Sequence, residues 1–260
     1  MPPKKRFRLP YLIPLLLSCT VLFALAVYLL GGSPLGRNDV GFRPDTEDVA
    51  TPPASGRLVT CVVIDAGHGG EDGGASSAAG LVEKDVNLSV ALALRDLFEA
   101  ADIPVVMTRD EDKLLYDRNV DFQGRKKVLD LAARRLAAEK TAQAVAAEGG
   151  TCLFISIHMN AFPQPQYKGM QVWYGTGDPR SADIAHAIQT VSAVLMPDNH
   201  RKIKAAGSNI YLLDRIKTPT VLVECGFLSN PAEAERLAQR DYQNALAAVI
   251  FAGVAGFIEN

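Results

Sequence analysis

Three apolar runs, each closing on a polar residue, constrain the fold of this 260-residue chain more than any other feature. Leu58-Val59-Thr60-Cys61-Val62-Val63-Ile64 ends at Asp65, the run from Cys152 ends at His158, and Thr220-Val221-Leu222-Val223 ends at Glu224. Apolar runs without alternation predict strands covered on both faces. Ile103–Thr108 and Met170–Tyr174 read as shorter strands. Val86, Val90, Leu94, Leu97 and Phe98 form a helical stripe after the first strand. Further helices are expected over Arg125–Glu148, long and largely exposed, and over Asp183–Leu195, Ala232–Gln239 and Tyr242–Ile258. Alternating strands and helices predict an α/β fold, a single three-layer domain whose mostly parallel twisted sheet is flanked by helices.

The chain before this domain is a different material. Lys4, Lys5, Arg6 and Arg8 form a basic arm at 1–10, expected in the cytoplasm. Residues 11–30 carry no charge, and as a helix they would reach ~30 Å, the thickness of a bilayer core. They are expected to be a transmembrane anchor or a signal peptide. The apolar run continues past the small residues Ala24-Leu25-Ala26, which favours an uncleaved anchor. Residues 31–56, with Pro34, Pro44, Pro52 and Pro53, lack any apolar period and read as a flexible linker. Residues 57–260 are left as the working domain, placed on the extracytoplasmic side, either anchored or secreted.

Composition removes several classes. A chain that is 48% hydrophobic and 22% charged is neither disordered nor of low complexity. A net charge of −2 argues against nucleic acid as a partner. Cys19 lies in the apolar segment, and Cys61, Cys152 and Cys225 sit within strand-like runs without C-x-x-C spacing. They read as small buried thiols, not as a disulfide framework.

In open α/β sheets, sites form beyond the carboxyl ends of the strands. His68 follows the first strand, His158 ends the third, Glu224 ends the last, and Glu83 leads into the first helix. Two imidazoles and a carboxylate make a three-ligand zinc set with a position open for water, and Glu224 has the chemistry of a general base. Each residue also has a plainer role: a hydrogen-bonding histidine, or a glutamate complementing a helix dipole. Glu224 is harder to explain that way, since a carboxylate at a buried strand end needs a partner. By alternation Cys225 faces away from it, which weakens a cysteine nucleophile. The glycine-rich loop after Asp65 is not a phosphate cradle: Asp72 stands where a glycine would be required, Glu71 lies beside it, and no Walker lysine follows. His186 and His200 read as surface residues.

Four ordered stretches carry a resemblance. Val63-Ile64-Asp65-Ala66-Gly67-His68-Gly69-Gly70, Leu81-Val82-Glu83-Lys84-Asp85, Ile155-Ser156-Ile157-His158-Met159-Asn160-Ala161 and Val223-Glu224-Cys225-Gly226-Phe227-Leu228-Ser229-Asn230 resemble the zinc-dependent N-acetylmuramoyl-L-alanine amidases of the Amidase_3 family. Within it the chain looks most like the short, N-terminally anchored, germination-specific amidases of spore formers, which act on spore cortex ahead of muramic-δ-lactam formation. The resemblance implies hydrolysis of the amide between N-acetylmuramic acid and the L-alanine of peptidoglycan stem peptides. It implies one Zn2+ held by His68, Glu83 and His158, with Glu224 catalytic. Ala66 replaces a usual proline and Cys225 a usual valine or threonine; neither supplies a ligand.

Asn160 is a candidate substrate contact, and Arg109 and Arg118 are candidate anchors for a peptide carboxylate or else surface ion-pair partners. Division amidases of the family can carry an inhibitory helix between the second histidine and the catalytic glutamate. The 65 residues between His158 and Glu224 are used up by a strand, a helix and the Ile210–Leu213 segment, so no plug is expected. Control is expected from expression, location or a regulatory protein partner. A vegetative wall amidase, a zinc peptidase acting within stem peptides and a non-hydrolytic wall-binding module are the alternatives.

Overall fold

Both faces of the central strands are covered, which is why their sequences do not alternate. The computed structural model describes residues 59–116 and 125–258. The expected arm, apolar segment and linker lie outside the described residues, as do Cys19 and Arg118. Among the described residues, no helix is long and apolar enough to cross a membrane.

Strands β1 (Cys61–Ala66), β2 (Val105–Met107), β3 (Cys152–Asn160), β4 (Gln171–Tyr174), β5 (Lys204–Ala205) and β6 (Thr220–Phe227) form one sheet, ordered β2-β1-β3-β6-β4-β5. The first four in that order run parallel. β4 joins β6 antiparallel and carries β5 with it, so the sheet is mixed, reversed along one edge. The helices are α1 (Glu83–Ala100), α2 (Lys126–Ala147), α3 (Arg180–Leu195), α4 (Tyr211–Arg215), α5 (Pro231–Leu237) and α6 (Arg240–Val254).

On one face Ile64, Ile155, Val223 and Cys225 pack with Val86, Val90, Leu94 and Phe98 of α1 and with residues of α3 and α6. The opposite face is thinner: Val63, Cys152, Phe154 and Leu222 meet Ala138 of α2 and Leu212 and Leu213 of α4. Three layers result, as the strand and helix alternation predicts. Cys61, Cys152 and Cys225 are free, buried core thiols, and His186 and His200 are exposed.

Three details depart from the sequence reading. β2 is only three residues long, β5 has no sequence signal, and α2 is not simply an exposed helix. It buries Asp130, Arg134 and Ala138, a stripe at helical spacing whose first two members are charged. Between His158 and Glu224 the helices are α3, which packs on α6, and the short α4, which packs on α2.

α3 and α6 approach closely at Gly253, where an added Cβ would lie 2.5 Å from the Cα of Ile188. Alanine in a helix normally gains about 1 kcal/mol over glycine. Here the clash is with backbone and cannot relax by a rotamer change, so Gly253→Ala should destabilise the domain by about 1–3 kcal/mol in urea unfolding. An unchanged or raised midpoint would contradict this packing.

Candidate active site

The site begins where β1 leaves the sheet. Asp65, fully buried, accepts hydrogen bonds from Thr108 Oγ1, Ser156 Oγ and Arg134 Nη1, each at 2.7 Å. Burial pushes its carboxyl up, but Arg134 and the two hydroxyls outweigh that and hold it below the usual range. Arg134 Nε donates to Asp130 Oδ2 at 2.6 Å, its Nη1 to the Ala66 carbonyl at 2.7 Å and its Nη2 to the His68 carbonyl at 2.6 Å. Arg109 grips the same turn from the other side, donating to the carbonyls of Ala66 (2.8 Å), Gly67 (2.9 Å) and Lys84 (2.8 Å). Two buried guanidiniums thus fix the chain through which His68, with φ 61°, enters the left-handed region.

Held there, His68 meets residues from two other elements. Glu83, at the start of α1, lies with Oε1 3.2 Å from His68 Nε2 and 3.0 Å from His158 Nδ1. The same oxygen accepts from Met159 N at 3.1 Å and from Asn87 Nδ2 at 3.3 Å, while Oε2 accepts from Ala75 N at 2.8 Å. Burial disfavours the Glu83 charge, but the two imidazoles outweigh it and hold the carboxyl far below its ordinary range. The imidazoles pack edge to face, with centroids 5.0 Å apart. His68 Nδ1 is 2.9 Å from Asp72 Oδ2, an arrangement that leaves Nε2 facing the cluster. Burial lowers the His68 pKa, but Glu83 and Asp72 outweigh it and raise it.

Two glycines make room. A Cβ at Gly67 would collide with the His158 ring, and one at Gly74 would lie 2.5 Å from Glu83 Oε2 and 2.7 Å from His68 Cδ2. The ligand-type atoms of His68, Glu83 and His158 all lie within 4.8 Å of one another.

Glu224 stands opposite His158 in the β3–β6 register and opposite Gln171 in the β4–β6 register. Its Oε2 is closed off from solvent and has no hydrogen-bond partner among the described residues. Burial, reinforced by Glu83 and opposed by the histidines, pushes its carboxyl up to about 7. Just beyond, the register shifts so that Asn160 pairs with Phe227, a bulge that adds one residue to β6. Cys225 points into the opposite core, as alternation predicts.

The sheet edge therefore brings together His68, Glu83, His158 and Glu224. Asn160 is partly exposed at the end of β3 beside them. Arg109 does not serve as expected: it is 1% exposed, and backbone carbonyls occupy its guanidinium, so it can reach neither a substrate carboxylate nor a surface partner. Arg118 lies outside the described residues. Sequence reasoning missed Asp72, Asp130 and Arg134. The i, i+4 spacing of Asp130 and Arg134 was the available signal, and it reads equally well as an exposed helical ion pair.

The Amidase_3 family model, N-acetylmuramoyl-L-alanine amidase, matches residues 62–256. The chain belongs to this family. It is 36% identical over 203 residues, 78% of this chain and 80% of the relative, to the germination-specific N-acetylmuramoyl-L-alanine amidase of Bacillus subtilis (strain 168). Among solved structures it resembles the CwlD amidase from Clostridioides difficile, determined in complex with the GerS lipoprotein. That match has a TM-score of 0.67 at 34% identity and covers 76% of this chain and 98% of that one. AmiC2 of Nostoc punctiforme matches with a TM-score of 0.57 at 30% identity, over 77% of this chain and 97% of that one. The chain is thus an N-acetylmuramoyl-L-alanine amidase, an enzyme acting on peptidoglycan.

The amidase should depend on the Asp65–Arg134 pair for stability. Arg134→Met would leave a buried carboxylate uncompensated, at a cost of about 3–5 kcal/mol in denaturant unfolding. Because the folded Asp65 pKa is depressed, its contribution is complete above the unfolded value of ~3.9 and is lost as pH falls through the lower folded value. Asp65→Asn should therefore flatten that acid limb of the stability curve; an unchanged limb would contradict the assignment.

Proposed function

We propose that His68, Glu83 and His158 hold one Zn2+ ion and that Glu224 is the general base for hydrolysis of the amide joining N-acetylmuramic acid to L-alanine. The observation that carries this reading is a three-member set of ligand-type atoms facing a buried carboxylate oxygen with no hydrogen-bond partner among the described residues. The set fits zinc chemically, with two imidazole nitrogens and one carboxylate held below its ordinary pKa. When bound, zinc supplies Lewis acidity toward water and toward a carbonyl oxygen.

The residues have separable tasks. Asp72 holds His68 Nδ1, which fixes the tautomer that presents Nε2. Glu83 is oriented by Asn87 and by the amides of Ala75 and Met159, so it cannot swing away from the histidines. Glu224 takes the proton of the attacking water and returns it to the departing amine nitrogen of L-alanine. A neighbouring cation favours its ionised form and so offsets the burial that raises its pKa. Asn160, at the rim, contacts the substrate backbone.

The biological setting extends the same reading. Similarity to a germination-specific amidase supports spore-cortex peptidoglycan as the substrate, ahead of muramic-δ-lactam formation. A catalytic domain on the extracytoplasmic side, tethered through 11–30, meets that substrate where it lies. The relative solved with a lipoprotein supports a protein partner as the means of control.

Glu224→Gln should keep stoichiometric zinc and lose turnover by about a hundredfold or more, whereas His158→Ala should lose the metal itself. Metal analysis alongside activity separates the two; normal turnover in the first variant or full zinc content in the second would refute the roles. Asp72→Asn should weaken zinc affinity about 10–100-fold in a chelator competition, and unaltered affinity would remove Asp72 from the site.

A further inference from the structure

The bank of the site opposite the glycine loop has a different chemistry. Arg201, between α3 and β5, lies with its guanidinium carbon 4.4 Å from the Phe227 ring centroid and 5.8 Å from that of Tyr167. Its Nε donates to the Lys168 carbonyl at 2.7 Å and its Nη1 to Gln171 Oε1 at 3.2 Å. Gln171, 4% exposed, is the direct cross-strand neighbour of Glu224. One buried side chain therefore links Arg201 to the strand position of the catalytic glutamate.

The surrounding rings are exposed yet fixed. Phe162 and Tyr167 are 48% and 40% exposed and meet edge to face at 4.9 Å. Their loop is tied to the segment that follows Glu224. Phe162 N donates to Ser229 Oγ at 3.0 Å, and Asn230 Nδ2 donates to the carbonyls of Pro165 (2.9 Å) and Tyr167 (3.3 Å). Lys202 adds positive charge at the surface, while Lys168 lies 3.9 Å from Asp198. Among the described residues, no carboxylate lies within ion-pair distance of Arg201, and its Nη2 makes no hydrogen bond. A guanidinium seated over aromatic rings, with a nitrogen to spare, is prepared for a carboxylate at little cost in side-chain entropy.

Resting on the amidase reading above, we propose that Arg201, seated over Phe227 and Tyr167, binds a carboxylate of the stem peptide and so sets which side of the scissile amide lies over β4. The substrate itself dictates that choice. Its sugar carries hydroxyl and acetamido groups, whereas its free carboxylates belong to the peptide, so a cationic bank beside Glu224 selects the peptide side. Arg201 takes the role that Arg109 is too buried to play.

The test uses full-length enzyme loaded with zinc and two soluble disaccharide–tetrapeptides, one with its stem carboxylates free and one with them converted to primary amides. Wild type should prefer the free acid. Arg201→Gln should lose about 10–100-fold in kcat/KM on the free acid, chiefly through KM, and less than about twofold on the amide. Arg201→Lys keeps the charge without the planar fork and should fall between them; it carries the test if the glutamine variant does not fold. Equal losses on both substrates, or no loss on either, would overturn the proposal while leaving the amidase reading intact. Failure of wild type to cleave either substrate would overturn both.

Discussion

Arg134 and Asp65 are removed from water together, and the catalytic face depends on how completely their bonds are satisfied. Burying an ion pair costs several kcal/mol per ion unless every remaining donor and acceptor finds a partner. Here Thr108 and Ser156 complete the carboxylate, and Asp130 with the carbonyls of Ala66 and His68 completes the guanidinium. The partners come from β1 and the turn after it, from β3 and α2, and from the residue after β2. Forming the pair therefore requires the sheet, its thinner covering layer and the β1 exit to be correct at once. What the pair delivers is a fixed path for the backbone of Gly67 and His68.

From that fixed path the rest of the site follows by clearance and charge balance. Glycines at 67 and 74 are needed because any side chain there would occupy the space of His158 or Glu83. Glu83 then acts as the shared centre, drawing both imidazoles toward one oxygen. Glu224 approaches from β6 into the remaining space, where burial works against its charge. Two carboxyl groups on one sheet edge are thereby driven in opposite directions, Glu83 down and Glu224 up. Such divergence suits the proposed roles, Glu83 as a ligand and Glu224 as the group that handles a proton.

The strands and their order along the chain were legible because burial on both faces leaves long apolar runs, and a polar residue at the end of such a run is conspicuous. His158 and Glu224 can be read that way, and His68 from its place in the glycine-rich loop just after the first run. Arg134 could not, because an Ala-, Arg- and Lys-rich helix gives no hint of which face turns inward when that face is itself charged. Arg109 is hidden for the same reason: a guanidinium satisfied by carbonyls looks, in sequence, like any surface arginine. β5 pairs through two exposed residues and carries no apolar pattern. The β6 bulge arises from pairing with β3, a non-local property. Arg201 has no sequence signal, because its place depends on Gln171 pairing opposite Glu224 and on Phe227 lying against the guanidinium.

The central claim is that these residues make a metal-dependent amidase, and one digestion tests it most directly. Peptidoglycan sacculi would be treated with the full chain, with and without a chelator, and the newly exposed amino groups identified by mass spectrometry. The account predicts new amino-terminal L-alanine, abolished by chelation and restored by zinc. New amino groups within the stem peptide, or L-alanine release that a chelator does not affect, would contradict it.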